Sequence, residues 1–270
     1  MDFIGWRRGR WRFAVPLAAG GSALNQELVF SLRDVIKTHS AGGSSFRLSI
    51  KRLDITRGAK LAFVGESGSG KSTLLELLAL LSRPDSCGTF TFRPQPNGPV
   101  HDLAQQWQRN TTEQFTDWRG RHVGYIMQTG GLLPYLTVQE NIELPLRLLQ
   151  LPLQDTARQW ATKLAISAQL GKLPAMLSVG QRQRAEVARA LAHGPAILIA
   201  DEPTSAVDPL NAERMVKLLC ELADQFNVTL LLATHAQRLA QQFGLSLIEH
   251  RIHALDEQSH EVLIDSGGNA

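Results

Sequence analysis

The stretch that most constrains this chain is Gly65-Glu66-Ser67-Gly68-Ser69-Gly70-Lys71-Ser72, followed by Thr73. An apolar run at 60–64 feeds into it, and a leucine-rich run at 71–82 leaves it. The glycines let the backbone curl, so that successive N–H groups point into one hollow. A helix starting near Lys71 adds its positive N-terminal end to the same place. Such a strand, loop and helix cradle phosphate. Lys71 can reach the β- and γ-phosphates of a nucleotide, and the Ser72 hydroxyl can ligate Mg²⁺.

The rest of the chain has to supply a sheet from which that loop opens. Strands are expected at 28–35, 46–50, 60–64, 120–128, 196–200 and 228–233, and short strands and turns at 245–264. A helical crossover is expected at 209–226. Strands alternating with helices argue for an α/β fold with a mostly parallel sheet. The N-terminal strands read as a separate antiparallel β part. A helical block at 151–192, broken around 171–179, interrupts the alternation and reads as an inserted helical subdomain spanning about 130–192. Residues 83–118 are rich in Pro, Gly, Asn, Gln and Thr and read as an irregular surface segment.

The apolar run Ile197-Leu198-Ile199-Ala200 ends in Asp201 and Glu202. In a doubly wound sheet, ligands lie beyond the carboxyl ends of the strands, which puts both acids at the edge where the phosphate loop opens. Neighbouring strand residues face opposite sides, so the two carboxylates should do different work. Asp201 suits a Mg²⁺ shell, and Glu202 suits polarising an attacking water. Taken alone, the pair could equally be two solvated acids at a strand end.

With those residues in place the chain resembles the nucleotide-binding subunits of ATP-binding-cassette transporters, from about residue 28 to about residue 264. Gln128, after Val123-Gly124-Tyr125-Ile126-Met127, resembles the Q-loop glutamine. Leu177-Ser178-Val179-Gly180-Gln181 resembles the signature motif. Asp201 and Glu202 resemble the Walker B aspartate and catalytic glutamate. Ser205-Ala206-Val207-Asp208 resembles the D-loop, and His235, after Leu231-Leu232-Ala233-Thr234, the switch histidine. Each residue also has a plainer reading: a polar loop residue for Gln128, a helix cap for His235, an N-cap for Ser178.

The resemblance implies a P-loop NTPase core within a domain at 26–270, with ATP and Mg²⁺ as cofactors and ATP hydrolysis as the reaction. It implies catalytic roles for Glu202, His235, Gln128 and Lys71. It implies ATP contacts from residues 65–73, Ser178, Gly180, Gln181 and Asp208, and Mg²⁺ ligation by Ser72, Gln128 and Asp201. In the family the signature helix meets the γ-phosphate held by a second, head-to-tail subunit, so a homodimer is the simplest assembly.

Three departures matter. Val179 stands where the family usually has glycine. His39, in Lys37-Thr38-His39, stands where a tyrosine often stacks on adenine. The spacing from Lys71 to Gln128 is longer than usual, which fits a small insertion within 83–118.

The segment after Gln128, with Leu132, Leu133, Tyr135 and Leu136, resembles the stretch that receives a short helix from integral membrane subunits. Docking is therefore expected near 132–142, from Leu132 to Ile142. With Glu143-Leu144-Pro145-Leu146 behind it, the segment is most similar to ATPases of the lipoprotein-releasing and macrolide-exporting type. The alternative class is a soluble cassette ATPase acting on DNA or ribosomes. Those relatives usually carry two cassettes or a long coiled-coil insertion, and no nucleic-acid partner is expected.

Composition agrees with this reading. Of 270 residues, 43% are hydrophobic and 20% charged, enough for a packed core. The net charge of +3 permits contact with an anionic membrane without requiring it. Cys87 and Cys220 lack metal-ligand spacing and read as free thiols of a reducing cytosol. No run approaches the roughly 18 apolar residues that span a bilayer. The expected location is cytoplasmic, peripheral on the inner face of the plasma membrane. Residues 1–25, with Trp6-Arg7-Arg8-Gly9-Arg10-Trp11-Arg12, imitate a signal peptide, but the apolar part is short and broken by Pro16 and Gly20-Gly21. They read as a flexible basic extension able to touch lipid headgroups.

Overall fold

The computed structural model describes residues 27–41, 44–66, 68–109, 112–128, 131–205, 208–256 and 259–266. The basic extension at 1–25 lies outside these residues, as do Ser67 of the phosphate loop and Ala206 and Val207 of the D-loop segment. The chain divides into two compact units, Glu27–Thr129 with Ala196–Ala270, and Gly130–Pro195.

In chain order the first unit begins with β1 (Leu28–Ala41), β2 (Ser44–Thr56), β3 (Lys60–Val64) and α1 (Lys71–Leu78). Then come β4 (Thr89–Phe92), β5 (His101–Asp102), α2 (Leu103–Gln108), α3 (Thr112–His122) and β6 (Val123–Ile126). The second unit holds α4 (Val138–Leu148), α5 (Thr156–Lys163) and α6 (Val179–Leu191). The chain returns to the first unit with β7 (Ile197–Asp201), α7 (Pro209–Phe226), β8 (Thr229–Thr234), α8 (Gln237–Gln242) and β9 (Ser246–Leu247). It closes with β10 (His250–Asp256) and β11 (Ser259–Ser266).

Two sheets build the first unit. The parallel one runs β6-β7-β8-β3-β9. Every residue of β7 and β8 is buried, as strands covered on both faces must be, and their sequences are accordingly continuous apolar runs. The other sheet runs β10-β11-β2-β1-β4-β5 and is antiparallel except where β11 lies parallel to β2. Strands from the C-terminal part of the chain thus complete the N-terminal β part. One apolar cluster joins Phe30, Phe90 and Phe92 of this sheet to Phe63 of β3 and Leu74 of α1.

Several boundaries differ from the sequence expectation. The β1–β2 hairpin extends well beyond 28–35 and 46–50, because its polar stretches remain paired: Thr38 opposite Arg47, and Arg33 opposite Arg52. Asp54 ties that surface together, accepting from Arg33, Arg52 and Ser31. Helix α1 stops at Leu78 rather than 82, and Leu80 then turns into the left-handed region at φ 58. Helices of the second unit begin at Val138, before 151, behind a capping box in which Thr137 and Glu140 satisfy each other's backbone N–H groups.

The largest correction concerns 83–118, which is not irregular. It contains β4, β5, α2 and most of α3, and it buries Phe90, Phe92, Leu103, Phe115 and Trp118. Thr89-Phe90-Thr91-Phe92 alternates at the strand period, and Phe90 and Phe92 pair opposite Leu32 and Phe30 of β1. Phe30 and Phe92 stack with centroids 4.8 Å apart.

Candidate functional site

Four neighbouring parallel strands end level with one another. Val64 of β3 lies beside Thr234 of β8, Ala233 beside Asp201 of β7, and Ala200 beside Ile126 of β6. Adjacent strands are about 4.8 Å apart, so side chains leaving these four ends fall within mutual reach. The residues that follow are the phosphate loop, His235, Glu202 and Gln128.

The phosphate loop turns through Gly68 at φ 83 and Gly70 at φ 80, a region that favours glycine. Gly70 is also the N-cap position of α1, and no side chain caps that helix. Its first-turn N–H groups are therefore not taken up by a side chain, the arrangement that suits an anion. A Cβ on Gly65 would collide with Ser69 Oγ. Ser72, exposed, and Thr73, half-buried, follow in the first turn, and Glu66 is exposed at the loop's start.

Lys71 is 4% exposed and turns back over its own loop. Its Nζ donates to the carbonyls of Gly65 and Glu66, both at 2.7 Å, and lies 3.1 Å from Glu202 Oε1. Glu202 collects two further groups. His235 Nε2 is 2.7 Å from Oε1, and Gln128 Nε2 donates to Oε2 at 3.1 Å. Three of the four predicted catalytic residues therefore meet on the carboxylate of the fourth. Glu202 is not an alternating strand residue as expected. It sits just past β7 at φ 45, with its N–H bonded to Ala233 O at 3.0 Å. A non-glycine residue in that conformation is held by its surroundings at some cost, and such positions concentrate at functional sites.

Asp201 is buried at the end of β7. Burial pushes its carboxyl above the usual carboxylate range, and the Glu202 charge adds to this; hydrogen bonds from Ser72 and Tyr125 and the Lys71 charge oppose it. Its Oδ1 is buried without a hydrogen-bond partner. An orphaned carboxylate oxygen beside a serine hydroxyl is a hard-donor pair of the kind a divalent cation takes. Tyr125 had no assigned role in the sequence. Its hydroxyl engages Asp201, and burial, followed by the Asp201 charge, raises its own pKa.

The signature residues belong to the second unit. Ser178 is the N-cap of α6, and a capping box with Gln181 holds it. Val179 is 52% exposed at the first helical position. A methyl group on Gly180 would meet nothing within 4 Å, so the unit's own packing does not require glycine there. Deeper in α6, buried Glu186 accepts from the N–H of Gly131, and Arg189 donates to the Gly131 carbonyl. Asp208 caps α7, accepting from the backbone and side chain of Asn211. Those bonds hold its carboxyl below the usual range.

His39, on β1, is exposed and stacks on Phe46 of β2 at 6.5 Å. A cavity of about 330 Å³, with Trp107, Phe115 and Arg119 in its lining, lies beyond the C-terminal end of α1, away from the phosphate loop. Among the described residues no helix is long and apolar enough to cross a membrane.

A glycine-rich loop opening between a parallel strand and a helix, with acidic, amide and imidazole groups gathered at the same sheet edge, defines a P-loop ATPase. The chain belongs to the ABC transporter family, whose model matches residues 48–205, and it is an ATP-binding, ATP-hydrolysing cassette similar to those named for lipoprotein release and macrolide export. It is 34% identical over 229 residues to the lipoprotein-releasing system ATP-binding protein LolD of Legionella pneumophila (strain Paris), covering 83% of this chain and 96% of that one. It is 32% identical over 248 residues to the macrolide export ATP-binding/permease protein MacB of Pasteurella multocida, covering 90% of this chain and 35% of that one. Among solved structures it resembles the dimeric bacterial ABC transporter cassette MJ0796 at a TM-score of 0.66 and 29% identity, covering 81% and 93% of the two chains. The same cassette in a post-hydrolysis state, bound to ADP and Pi, gives a TM-score of 0.68 at 30% identity, again over 81% and 93%.

Proposed function

We propose that this chain is the motor of a membrane transport or mechanotransmission complex, hydrolysing ATP as half of a head-to-tail dimer that drives membrane partner subunits. The observation that carries the reading is the gathering of Lys71, His235 and Gln128 on Glu202 at the mouth of the phosphate loop. Residues 65–73 hold the triphosphate, with Lys71 neutralising the β- and γ-phosphates. Glu202 orients and polarises the attacking water, and His235 and Gln128 fix Glu202 against it. Ser72, Asp201 and Gln128 would hold Mg²⁺, which when bound supplies charge neutralisation at the phosphates. His39 offers a face for the base.

Ser178, Gly180 and Gln181 serve the nucleotide of a second copy. The open surface at Gly180 suits such an approach, because no neighbour within the chain explains the glycine. Asp208 is read as a further contact to ATP. The names of the relatives, one a lipoprotein-releasing ATP-binding protein and one an ATP-binding/permease protein, support work at a membrane. Docking of an integral membrane subunit falls near 132–142. There Tyr135 is 71% exposed and Leu132 is buried, so Tyr135 carries the contact and Leu132 supports it from below. The chain then sits peripherally on the cytoplasmic face of the membrane.

The test is to purify the Glu202→Gln chain, add ATP and Mg²⁺, and measure its mass by light scattering. Slowed hydrolysis should trap a species of twice the mass. A monomer that binds ATP under these conditions would overturn the homodimer.

A further inference from the structure

The final strand of the fold reaches the phosphate loop. In the register of the β sheet, His39 of β1 lies opposite Phe46 of β2, and His260 of β11 lies beside the same Phe46. Three rings thus share one rung across three strands. His39 stacks on Phe46, and His260 tilts against it with centroids 5.2 Å apart. The rung leans on the loop at two points. Phe46 Cζ is 2.5 Å from where a Cβ on Gly70 would sit, so the ring fills the space that glycine leaves open. His260 Nε2 is 3.1 Å from the carbonyl oxygen of Gly68. A carbonyl only accepts, so this contact fixes the proton on Nε2.

Gly68, at φ 83, is the point of the loop with the least intrinsic restraint, and nothing within 4 Å faces its missing side chain. Its carbonyl belongs to the same planar peptide unit as the N–H of Ser69, and in a trans unit the two point to opposite sides. Holding the oxygen outward on His260 therefore holds the Ser69 N–H toward the interior of the loop, where it closes on Glu66 O at 3.2 Å. One imidazole on a distant strand thus contacts the peptide unit whose N–H closes the loop on Glu66 O.

We propose that His260 is a positioning residue for the phosphate loop. By donating Nε2–H to Gly68 O it fixes the Gly68–Ser69 peptide and sets the affinity for ATP, without taking part in hydrolysis. This rests on the loop being the ATP site.

The experiment compares the full chain with His260→Ala, His260→Gln and Lys71→Ala, reading ATP affinity by calorimetry in Mg²⁺, then KM and kcat. His260→Ala should raise Kd and KM about fivefold, the factor carried by one hydrogen bond of ordinary net strength, and leave kcat within about twofold. His260→Gln, which keeps an N–H donor, should restore affinity to within about twofold of the native chain. Unchanged affinity in His260→Ala overturns the proposal, and so does an equal loss in both variants, which would assign the effect to ring packing on Phe46. Lys71→Ala separates the two levels of the argument. If that chain still binds ATP with native affinity, the ATP-site reading itself fails.

Discussion

Glu202 Oε1 lies 3.1 Å from Lys71 Nζ and 2.7 Å from His235 Nε2, so one carboxylate oxygen is shared by the phosphate loop and the loop after β8. Lys71 is buried and Glu202 nearly so, and a charge pair removed from water is sensitive to loss of either member. Glu202→Gln keeps the shape and removes the charge. Phosphate release should fall by a factor of about 10² or more, the range for a positioned general base, while ATP affinity stays within about threefold. Rates and calorimetry on the same preparation check this, and a rate within tenfold of native would remove Glu202 from the chemistry.

Asp201 gives a pH dependence whose sign follows from its raised pKa. Its folded-state value lies above that of an ordinary aspartate, mainly through burial, so its ionisation opposes folding. Stability tied to this group is complete at low pH and is lost as pH rises through the raised value. Asp201→Asn should therefore raise Tm at neutral pH, with the gain vanishing below the usual aspartate range. The same variant should lose Mg²⁺ dependence. Thermal melts across pH, with and without Mg²⁺, read both effects.

His122 acts in the opposite direction. Burial beside Phe92 lowers its pKa to about 4. The unfolded chain then holds a proton that the folded chain refuses. This contribution is present above the ordinary histidine range and is lost as pH falls from about 6.5 toward about 4. His122→Gln should flatten the acid side of a plot of Tm against pH, and an unchanged slope would mean that the imidazole is freely hydrated.

Ser178 and Gly180 separate structure from function on a single helix. Ser178→Ala removes a capping box and should cost about 1 kcal/mol of stability as well as activity. Gly180→Ala meets no neighbour and places a better helix former at that position, so Tm should hold or rise slightly. Hydrolysis should nevertheless fall at least tenfold if a second copy's phosphate approaches there. Denaturation curves paired with ATPase rates distinguish the two variants.

The sequence was readable where the signal was contiguous. The loop at 65–73 and the strand ending in Asp201 carry their structure in adjacent residues, and α7 occupies its predicted span of 209–226. At 83–118 the signal was diluted. Helix α2 buries only Leu103 and α3 only Phe115 and Trp118, too few apolar residues to stand out against Pro, Gly and Thr, although Phe90 and Phe92 did alternate. Glu202 reads as a strand residue in the sequence, because a single left-handed residue leaves no trace in composition. The partner of Gly68 could not be read at all, since His260 lies 192 positions away and meets it only through strand pairing.

The pairing of β11 with β2 also bears on how the molecule is made. During synthesis every residue of the phosphate loop leaves the ribosome long before the strand that braces it. Pairings so distant in sequence are slow to form, because the intervening chain must first be gathered in. A nascent chain halted ahead of residue 259 would own the whole nucleotide cradle, yet one long edge of β2 would stand unpaired, a template for the wrong neighbour. The last increment of ATP affinity and protection from aggregation would then arrive together, with β11.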